Sequence, residues 1–545
     1  MPRADPSAAG NGAAGEGAAG RPDVTRPGVT QPNILLIVTD QQRFDSLGCT
    51  GAHWVRTPNL DRLAAEGVLF ENCYAANPIC TPSRASLMTG KHLPGHGVYR
   101  LHDVLPAEEV MFPELLRAQG YTTALFGKLH VSGRVEEAAR RHPHDGFDVY
   151  EWCLEPALDL DSPFNGYAAW LRERHPEFLR HLEANRRHRG HDPVETSMNR
   201  WAADRTIDFV RAQAGPPRGA PRRPFFCMMS VFDPHNPYDN YPLEMERLVD
   251  AARIPAPVPA ADGGAEVPWA FTAERGHSYL GPMSSFSVDD IARMRLGTSA
   301  MVAHVDLEVG RVLAALEDEG LAGDTLVVFT SDHGDMLGDH ATLAKGAMLH
   351  DPCVRVPLIA RWPGVLDGGR RSPALVQLLD LAATFAAAGG VPAGEIAARM
   401  PDARDLAAGE GAGREGAQPG GAVAAGGYGE FHDTVVTAYR NSGIDDRGRN
   451  WDPPIHATMV RSGRFKLHVY HPVAGRQAST ICRLYDMESD PREQHDLGGD
   501  PGHRAVLDGL KDRLLSWLLG VENLHGSRGG EAIPRVDQLV VNRIT

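Results

Sequence analysis

Five short apolar segments, each followed at once by polar residues, constrain the fold of this chain more than any other feature. The first, Asn33–Thr39, is an unbroken apolar run of strand length, which is typical of a strand buried on both faces of a sheet. Helical or loop sequence separates each segment from the next, and this alternation predicts an α/β fold. The other four segments are Tyr121–Phe126, Phe225–Phe232, Thr325–Thr330 and Val354–Ile359.

Several of the residues that follow these segments are of types that bind anions or metals. In an open parallel sheet the ligand site lies beyond the carboxyl ends of the strands, so residues there are candidate functional groups. An aspartate after a strand is also common as a helix cap or turn residue, and a lysine or histidine as a plain loop residue. Position alone leaves both interpretations open. The residues concerned are Asp40, Gln41, Lys128, His130, His235, Asp332 and His333.

A cysteine motif supplies the strongest chemical signal. Cys80-Thr81-Pro82-Ser83-Arg84 is followed by Ala-Ser-Leu-Met-Thr-Gly, which ends at position 90. This run resembles the signature of the type I sulfatases, in which such a sequence directs oxidation of the cysteine to formylglycine. Free cysteine is also among the most buried residue types, so the core motif alone does not separate a catalytic precursor from a packing residue. We predict a helix over Ser83–Met88, which places Cys80 near an N-terminus whose amides favour an anion.

The resemblance implies that Cys80 is a precursor, matured by a formylglycine-generating enzyme. A thiolate that attacked sulfur would leave an adduct with no easy exit. In the hydrated aldehyde, one geminal oxygen attacks as the nucleophile, and deprotonation of the second lets the adduct collapse and release sulfate.

Further motifs in the same order along the chain extend the resemblance over about residues 33–519. The family implies an alkaline phosphatase-like three-layer α/β sandwich with a mostly parallel central sheet, plus a small C-terminal antiparallel-sheet subdomain. The motifs are Thr57–Gly67, Gly127–His130, Pro234–Pro237, Ser331–Gly334 with the later Gly338–His340 and Lys345, Val356–Ile359, and Leu484–Glu493.

The resemblance also implies a divalent cation. Its predicted ligands are Asp40, Gln41, Asp332, His333 and the modified residue at position 80. Oxygen ligands favour a hard ion, calcium being usual in the family and magnesium also suitable, while the imidazole leaves manganese open. Arylsulfatases typically have Asp-Asp and Asp-Asn where this chain has Asp-Gln and Asp-His. This variant resembles the branch that includes choline sulfatases and phosphonate monoester hydrolases, so Gln41 either binds the metal or hydrogen-bonds the nucleophile.

The family's chemistry assigns a role to each remaining motif residue. Lys128 and Lys345 would neutralise the charge that spreads over the sulfate oxygens, and Arg84 would orient the geminal diol. His130 is the candidate base for the second hydroxyl, and His235 the candidate acid for the leaving alcohol. His340 and His350 are weaker candidates, which the pattern favours as solvated loop residues.

Composition excludes some classes of protein. A formal net charge of −15 argues against a general nucleic-acid binder. The seven cysteines lack C-x-x-C spacing, which argues against a zinc site. No membrane helix is apparent, and the N-terminal residues lack the apolar core of a secretory signal, so we predict a reduced, cytoplasmic protein without membrane or nucleic-acid partners. A homo-oligomer stays open.

The pattern divides the chain into four parts. They are a disordered tail (1–31), a catalytic α/β domain (32–400), a Gly/Ala-rich loop (401–427) and a C-terminal α+β subdomain (428–545). Within them, Val288–Glu319 is predicted to form two helices or one with a break near Gly297. Two short strands joined by a Ser-Gly turn are predicted between Ala457 and Tyr470, with an amphipathic helix at Ala505–Leu519 packing over their sheet.

Three functions are compatible with these motifs. The first is hydrolysis of a small-molecule sulfate ester. The second is hydrolysis of a phosphonate monoester or phosphodiester with the same nucleophile and metal. The third is a catalytically silent, metal-binding scaffold in which Cys80 stays a thiol, although such a scaffold has no use for the basic residues of the motifs. The alcohol portion of the substrate is not readable from the sequence.

Overall fold

The computed structural model describes residues 31–185, 190–215, 222–261, 266–411 and 431–524. The proposed tail therefore lies almost wholly outside the described residues, as do positions 412–427 of the Gly/Ala-rich loop and the last part of the C-terminal region. The four-part division of the chain stays a prediction. Within the described ranges, every helix is too short or too polar to cross a lipid bilayer.

The larger of two sheets has nine strands in the described part of the chain and runs in the order β4-β3-β5-β1-β6-β8-β2-β7, with β9 paired to β2. Strands β4, β3, β5, β1 and β6 are mutually parallel, and β8 runs antiparallel between β6 and β2. The sheet is thus mostly parallel, as predicted. Its strands are β1 (Asn33–Thr39), β2 (Val68–Tyr74), β3 (Thr122–Gly127), β4 (Val149–Trp152), β5 (Phe225–Ser230), β6 (Thr325–Ser331), β7 (Arg355–Val356), β8 (Leu358–Arg361) and β9 (Arg370–Gln377).

Fifteen α-helices are present among the described residues. They are α1 (Pro58–Glu66), α2 (Cys80–Thr89), α3 (Leu93–His96), α4 (Phe112–Ala118), α5 (Arg134–Ala139), α6 (Gly166–Arg174), α7 (Pro176–Ala184), α8 (Met198–Ala214), α9 (Trp269–His277), α10 (Val288–Asp318), α11 (Asp351–Val354), α12 (Asp380–Ala388), α13 (Ala393–Arg399), α14 (Leu406–Gly411) and α15 (Arg504–Leu524).

The central strand β1 shows why the sheet is covered on both faces. Its residues Ile34 and Leu36 belong to one apolar core, together with α2, α4 and α12. The alternate residues Leu35 and Ile37 belong to a second core, together with α1, α6, α8 and α10. Successive side chains of a strand point to opposite faces, so an uninterrupted apolar strand requires a helical layer on each side. The three-layer α/β sandwich is confirmed.

The smaller sheet is antiparallel and consists of β10 (Val435–Arg440), β11 (His456–Ser462), β12 (Phe465–Tyr470) and β13 (Ile481–Asp486). One face buries Val460 and Leu467 against Leu510 and Leu514 of α15. The predicted strand pair and the helix over it are confirmed. The buried ammonium of Lys466, on β12, contacts Asp351 at 2.7 Å and Glu493 at 2.9 Å. Because Asp351 begins α11, which leads into β7, these contacts join the smaller sheet to the larger one.

Two local predictions were wrong. Helix α10 is a single helix of 31 residues without a break at Gly297. A Cβ at that position would overlap the carbonyl oxygen of Tyr238, so this glycine serves a close backbone contact and not a helix end. The segment Val354–Ile359 is divided between β7 and β8, because Pro357 has no amide proton to donate to a neighbouring strand.

Gly127 illustrates how tightly the sheet closes near its carboxyl edge. It has φ +117° at the end of β3, and a Cβ there would overlap the carbonyl oxygen of Ser230 at the end of β5. The amide of Lys128 donates to that same oxygen at 2.9 Å. The absence of a side chain at position 127 therefore brings the two strand ends together.

We predict that Gly127→Ala destabilises the protein by roughly 3 kcal/mol or more, since it adds a backbone overlap to the cost of positive φ. Gly120→Ala is the matched control, because Gly120 also has positive φ (+92°) but open space where its Cβ would stand. The free energy of unfolding of the Gly120→Ala variant should fall by only about 1 kcal/mol. Urea unfolding measures both, and equal losses would contradict the close contact inferred at Ser230.

Candidate active site

The carboxyl ends of adjacent strands bring the predicted site residues together. Asp40 and Gln41 follow β1, Lys128 and His130 follow β3, and Asp332 and His333 follow β6. Cys80 is the first residue of α2, so its predicted place at a helix N-terminus is confirmed. In the parallel part of the sheet these strands stand in the order β3-β5-β1-β6. The site thus lies where open parallel sheets place their ligands.

Four of these residues form a compact group of metal-binding types. One ligand atom from each of Asp40, Cys80, Asp332 and His333 lies within 4.8 Å of the others, and all four residues are buried. The Cys80 Sγ is 3.2 Å from His333 Nε2 and 3.7 Å from Asp40 Oδ1. Carboxylate oxygens with one imidazole fit a hard divalent cation such as calcium or magnesium, and also manganese.

Gln41 completes this group in an unusual conformation. Its φ is +64°, its amide N donates to Asp332 Oδ1 at 3.1 Å, and its side-chain Nε2 donates to Asp335 Oδ2 at 2.6 Å. Its Oε1 is buried and accepts no hydrogen bond from the described residues. An orphaned amide oxygen beside two carboxylates suits a cation ligand, since buried polar atoms otherwise find partners. The predicted donor set therefore fits a divalent cation.

Arg84 ties the strand ends together. Its side chain is 0% exposed, and its Nε donates to Asp332 Oδ2 at 2.6 Å. Its Nη1 donates to the Lys128 carbonyl and to Ser230 Oγ, both at 2.9 Å. The guanidinium thus contacts the ends of β6, β3 and β5 from one position. Its Nη2 is buried without an acceptor in the described structure and lies 4.0 Å from Asp40 Oδ2, which leaves one donor for a ligand.

Two lysines set the electrostatics at position 80. Lys128 Nζ donates to Asp40 Oδ2, and Lys345 Nζ lies 2.7 Å from Cys80 Sγ. Burial raises the pKa of the Cys80 thiol, but Lys128, Lys345 and His333 outweigh burial and hold that pKa well below its ordinary value. Position 80 is thus built to carry negative charge.

The His130 imidazole lies beside Cys80 and is neutral. Its Nε2 is 3.1 Å from Thr81 Oγ1, and its Nδ1 is buried without a partner among the described residues. Burial and the Lys128 charge lower the pKa of His130 to about 4, although its contact with Cys80 opposes them. A neutral imidazole is the form that accepts a proton, as the predicted base must.

Glu137 is a supporting residue that the sequence did not reveal. Its carboxylate accepts hydrogen bonds from the backbone amides of His130, Val131 and Ser132 at 2.7 to 3.1 Å, and from the indole of Trp152 at 2.9 Å. These bonds fix the loop that holds His130 at a φ of +58°. A glutamate on a short helix carries no sequence signal of such a role, because the role depends on tertiary contacts.

His235 is joined to Lys345. The ring Nδ1 is 2.6 Å from the Asn236 carbonyl, which requires the proton on that nitrogen, and Nε2 is 3.0 Å from Lys345 Nζ. The lone pair of Nε2 therefore accepts from the lysine ammonium. In this arrangement, Lys345 is the nearest source of the proton that His235 would deliver.

The weaker candidates His340 and His350 are not solvated loop residues, so that interpretation was wrong. Both are buried, their rings stack with centroids 3.9 Å apart, and His350 also packs edge-on against His468 at 5.0 Å. They form part of the interface between the smaller sheet, through His468 of β12, and the segment that leads into α11.

A cavity of about 640 Å³ opens above Cys80. Lys128, His130, His235 and Lys345 line it together with Cys80, so every predicted acid, base and lysine faces the same space. The remaining lining is largely apolar and comes from the segments around Leu101, Leu154, Phe232 and Ile444. A cavity of this size accommodates a small ester.

Comparison with known proteins gives consistent results. The family model described as Sulfatase matches residues 32–391. An arylsulfatase of Clostridium perfringens is 30% identical over 364 residues, which cover 64% of this chain and 72% of that protein. The human iduronate 2-sulfatase is 29% identical over 398 residues, covering 66% and 69%. Among solved structures, the phosphonate monoester hydrolase of Agrobacterium radiobacter superposes with a TM-score of 0.69 at 26% identity, covering 90% of this chain and 96% of that one.

We predict that the metal-free protein binds Ca²⁺ and is stabilised by it. At a concentration of 100 times Kd, the ion should raise the free energy of unfolding by about 2.7 kcal/mol. Asp332→Asn should remove most of this increment, because it removes a charged ligand. The measurement is thermal or urea unfolding after EDTA treatment, with and without CaCl₂.

Asp306→Asn is the matched control for that measurement. Asp306 is a buried carboxylate that caps α1, accepting from the Leu60 amide at 2.8 Å, and it belongs to no part of the site. Its variant should lose stability yet keep the full Ca²⁺ increment. An equal increment in the Asp332→Asn protein, or none in the unmodified protein, would contradict the assigned ligands.

Proposed function

The chain belongs to the sulfatase family, and on that premise we propose that this sulfuric ester hydrolase converts sulfate esters to an alcohol and inorganic sulfate through a formylglycine made from Cys80. The observation that carries this proposal is the position of residue 80. It begins a helix, it is 2% exposed, and the lysine ammonium of residue 345 lies 2.7 Å from its sulfur.

Formylglycine, as its hydrate, supplies two hydroxyls on one carbon: one attacks sulfur as the ester S–O bond breaks, and loss of the proton from the other expels sulfate and restores the aldehyde. The burial of Cys80 has a consequence for maturation. A formylglycine-generating enzyme reaches the thiol only before the chain has completed folding. This maturation partner, the cytoplasmic location and any homo-oligomer stay predictions.

The bound sulfate is neutralised by the basic groups around position 80. Lys128 and Lys345 face the cavity, and Arg84 keeps one unpaired Nη2 that lies 4.0 Å from Asp40 Oδ2. Negative charge grows on the sulfate and leaving oxygens as the ester bond lengthens. Fixed cations in a site closed to water stabilise that charge far more than solvent does.

Proton movement falls to the two histidines. His130, held neutral by burial and by Lys128, takes the proton from the second hydroxyl. His235 relays a proton to the leaving alkoxide: its Nε2 takes the proton from Lys345, which lies 3.0 Å away, and passes it on. Both imidazoles are held by fixed backbone contacts, so they need little reorganisation during turnover.

Asp40, Gln41, Asp332 and His333 would hold one divalent cation together with residue 80, and calcium is the family's usual ion. A bound cation supplies further positive charge against the sulfate oxygens. The chain's own contribution is to hold Asp40, Asp332 and His333 within 4.8 Å of position 80 and to keep them buried, with Gln41 directly after Asp40. Arg84 maintains the orientation of Asp332 through its 2.6 Å hydrogen bond.

Hydrolysis of a phosphonate monoester or phosphodiester is the second candidate. It is favoured by the likeness to the Agrobacterium radiobacter phosphonate monoester hydrolase and by the Asp40-Gln41 and Asp332-His333 pairs. The nucleophile and the basic groups would serve both reactions. The charge on the transferred group differs, and this difference decides between the two. A silent scaffold is disfavoured because it needs neither the lysines nor the neutral imidazole.

Aldehyde-bearing protein is predicted to hydrolyse 4-nitrophenyl sulfate with a kcat/KM at least tenfold above that for 4-nitrophenyl phenylphosphonate. Lys345→Met should lower kcat/KM for the sulfate by roughly 100-fold or more, the effect of removing one buried stabilising donor. Release of 4-nitrophenol measures both. The exposed Lys511 provides the matched control, and Lys511→Met should retain full activity.

A higher kcat/KM for the phosphonate would contradict sulfate hydrolysis as the main function and would support phosphonate monoester hydrolysis instead. Turnover of neither ester by protein with a demonstrated aldehyde would contradict both enzymatic functions. Equal activity of the Lys345→Met and unmodified proteins would remove the role given to this lysine.

A further inference from the structure

The cavity above Cys80 holds a buried carboxyl that neither the metal group nor the proposed chemistry uses. Glu274, on α9, lines this cavity and is only 4% exposed. One of its oxygens, Oε1, accepts from the Ala347 amide at 2.7 Å. Its carboxyl lies flat against the backbone of Gly346, where a Cβ would overlap it. The Glu274 carboxyl therefore contacts the backbone of the two residues that follow Lys345.

Glu274 has no counter-charge in the described structure. Among residues 31–185, 190–215, 222–261, 266–411 and 431–524, no lysine, arginine or histidine pairs with it, and the Ala347 amide is the one group found to stabilise its charge. Burial accordingly raises the pKa of Glu274 to about 8. A buried carboxyl in this condition gains strongly from a ligand that brings a positive charge.

Other features of the cavity agree with a cationic, apolar ligand. Glu155 adds a second carboxylate to its lining and Glu136 a third, which pairs with Arg140 at 3.0 Å, whereas Arg134 is partly occupied by Asp159 at 3.6 Å. The cavity walls also include the aromatic rings of Phe232 and Tyr279. Aliphatic side chains complete them, namely Ile79, Leu101, Leu154, Leu158 and Ile444.

The cavity thus contains both basic and acidic groups. The part around Cys80 is basic and suits the sulfate group. Glu274 adds an unpaired buried carboxyl to a lining that is otherwise largely apolar, and this combination suits an alcohol that carries a protonated amine on an apolar body. A sulfated sugar, which presents many hydroxyls and no positive charge, would leave the apolar walls and the buried carboxyl without matching partners.

We propose that this enzyme acts on sulfate esters of apolar amino alcohols or aminoalkyl phenols, with the ammonium of the substrate bound by Glu274. The inference rests on the proposed function and extends it to a substrate class. Glu274 is a specificity residue: it binds the part of the substrate that becomes the released alcohol and takes no part in breaking the S–O bond.

The alternative role for Glu274 is purely structural, since it also holds the loop that carries Lys345. Glu274→Gln separates the two roles. The glutamine keeps an oxygen that accepts from the Ala347 amide and keeps nearly the same volume, but it removes the negative charge. A structural role would survive this change, whereas recognition of an ammonium would not.

The test compares two substrates of matched shape, tyramine O-sulfate and 4-ethylphenyl sulfate, which differ by the amine. We expect the unmodified enzyme to favour tyramine O-sulfate in kcat/KM by roughly thirtyfold, the lower range for a buried charge pair, and Glu274→Gln to bring this ratio close to one. The surface variant Glu317→Gln, whose carboxylate pairs with Arg62, should keep the unmodified ratio.

An unmodified enzyme that shows no preference for the amine, or a Glu274→Gln enzyme that keeps the preference, would overturn the assignment. Calorimetric binding of tyramine and of 4-ethylphenol provides a second measurement that needs no turnover and no variant. Tighter binding of tyramine supports the acidic subsite, and equal binding overturns it. Failure of the proposed function is distinct, since neither ester would then release sulfate whatever the binding result.

Discussion

The buried guanidinium of Arg84 is the interaction on which the rest of this active site depends. An arginine with no exposed surface costs several kcal/mol to desolvate unless its donors are matched. Here Asp332, the Lys128 carbonyl and Ser230, at the ends of β6, β3 and β5, accept from Nε and Nη1, while Nη2 keeps no acceptor in the described structure. Arg84 stands one turn after Cys80 on α2, so the same contacts fix the helix start against the carboxyl edge of the sheet. Position 80 and the sheet edge are thereby held as one unit.

The charges gathered at that edge favour the binding of an anion. Asp40 and Asp332 are each in contact with a buried cation, Lys128 and Arg84 respectively, while Lys345 directs its ammonium at residue 80 and His235. Burial strengthens each of these interactions, because little water is present to screen them. The pKa of Cys80 is lowered for the same reason, because the surrounding cations lower it by more than burial raises it. Any group at position 80 that gains negative charge during reaction is stabilised in advance.

Much of this architecture was predictable from local sequence, because the apolar strands and the residues after them carry their own signals. Asn33–Thr39 is strand β1 within its predicted bounds, and the cysteine motif does begin a helix. Strand β2 was not predicted, since Glu71 and Asn72 interrupt its apolar pattern and it is recognisable only from its neighbours. Glu137 and Glu274 were missed for a related reason. Each acts through contacts with distant loops, and neither lies in a motif that local periodicity or spacing could single out.

The central claim, that Cys80 is the precursor of the nucleophile, is tested most directly by mass spectrometry of the tryptic peptide 63–84 from protein made in its native host. This peptide contains Cys80 and ends at Arg84. We predict an aldehyde, or its hydrate, at position 80. An unmodified thiol in folded, metal-binding protein would contradict it and would leave the lysines and the neutral imidazole of His130 without the function assigned to them.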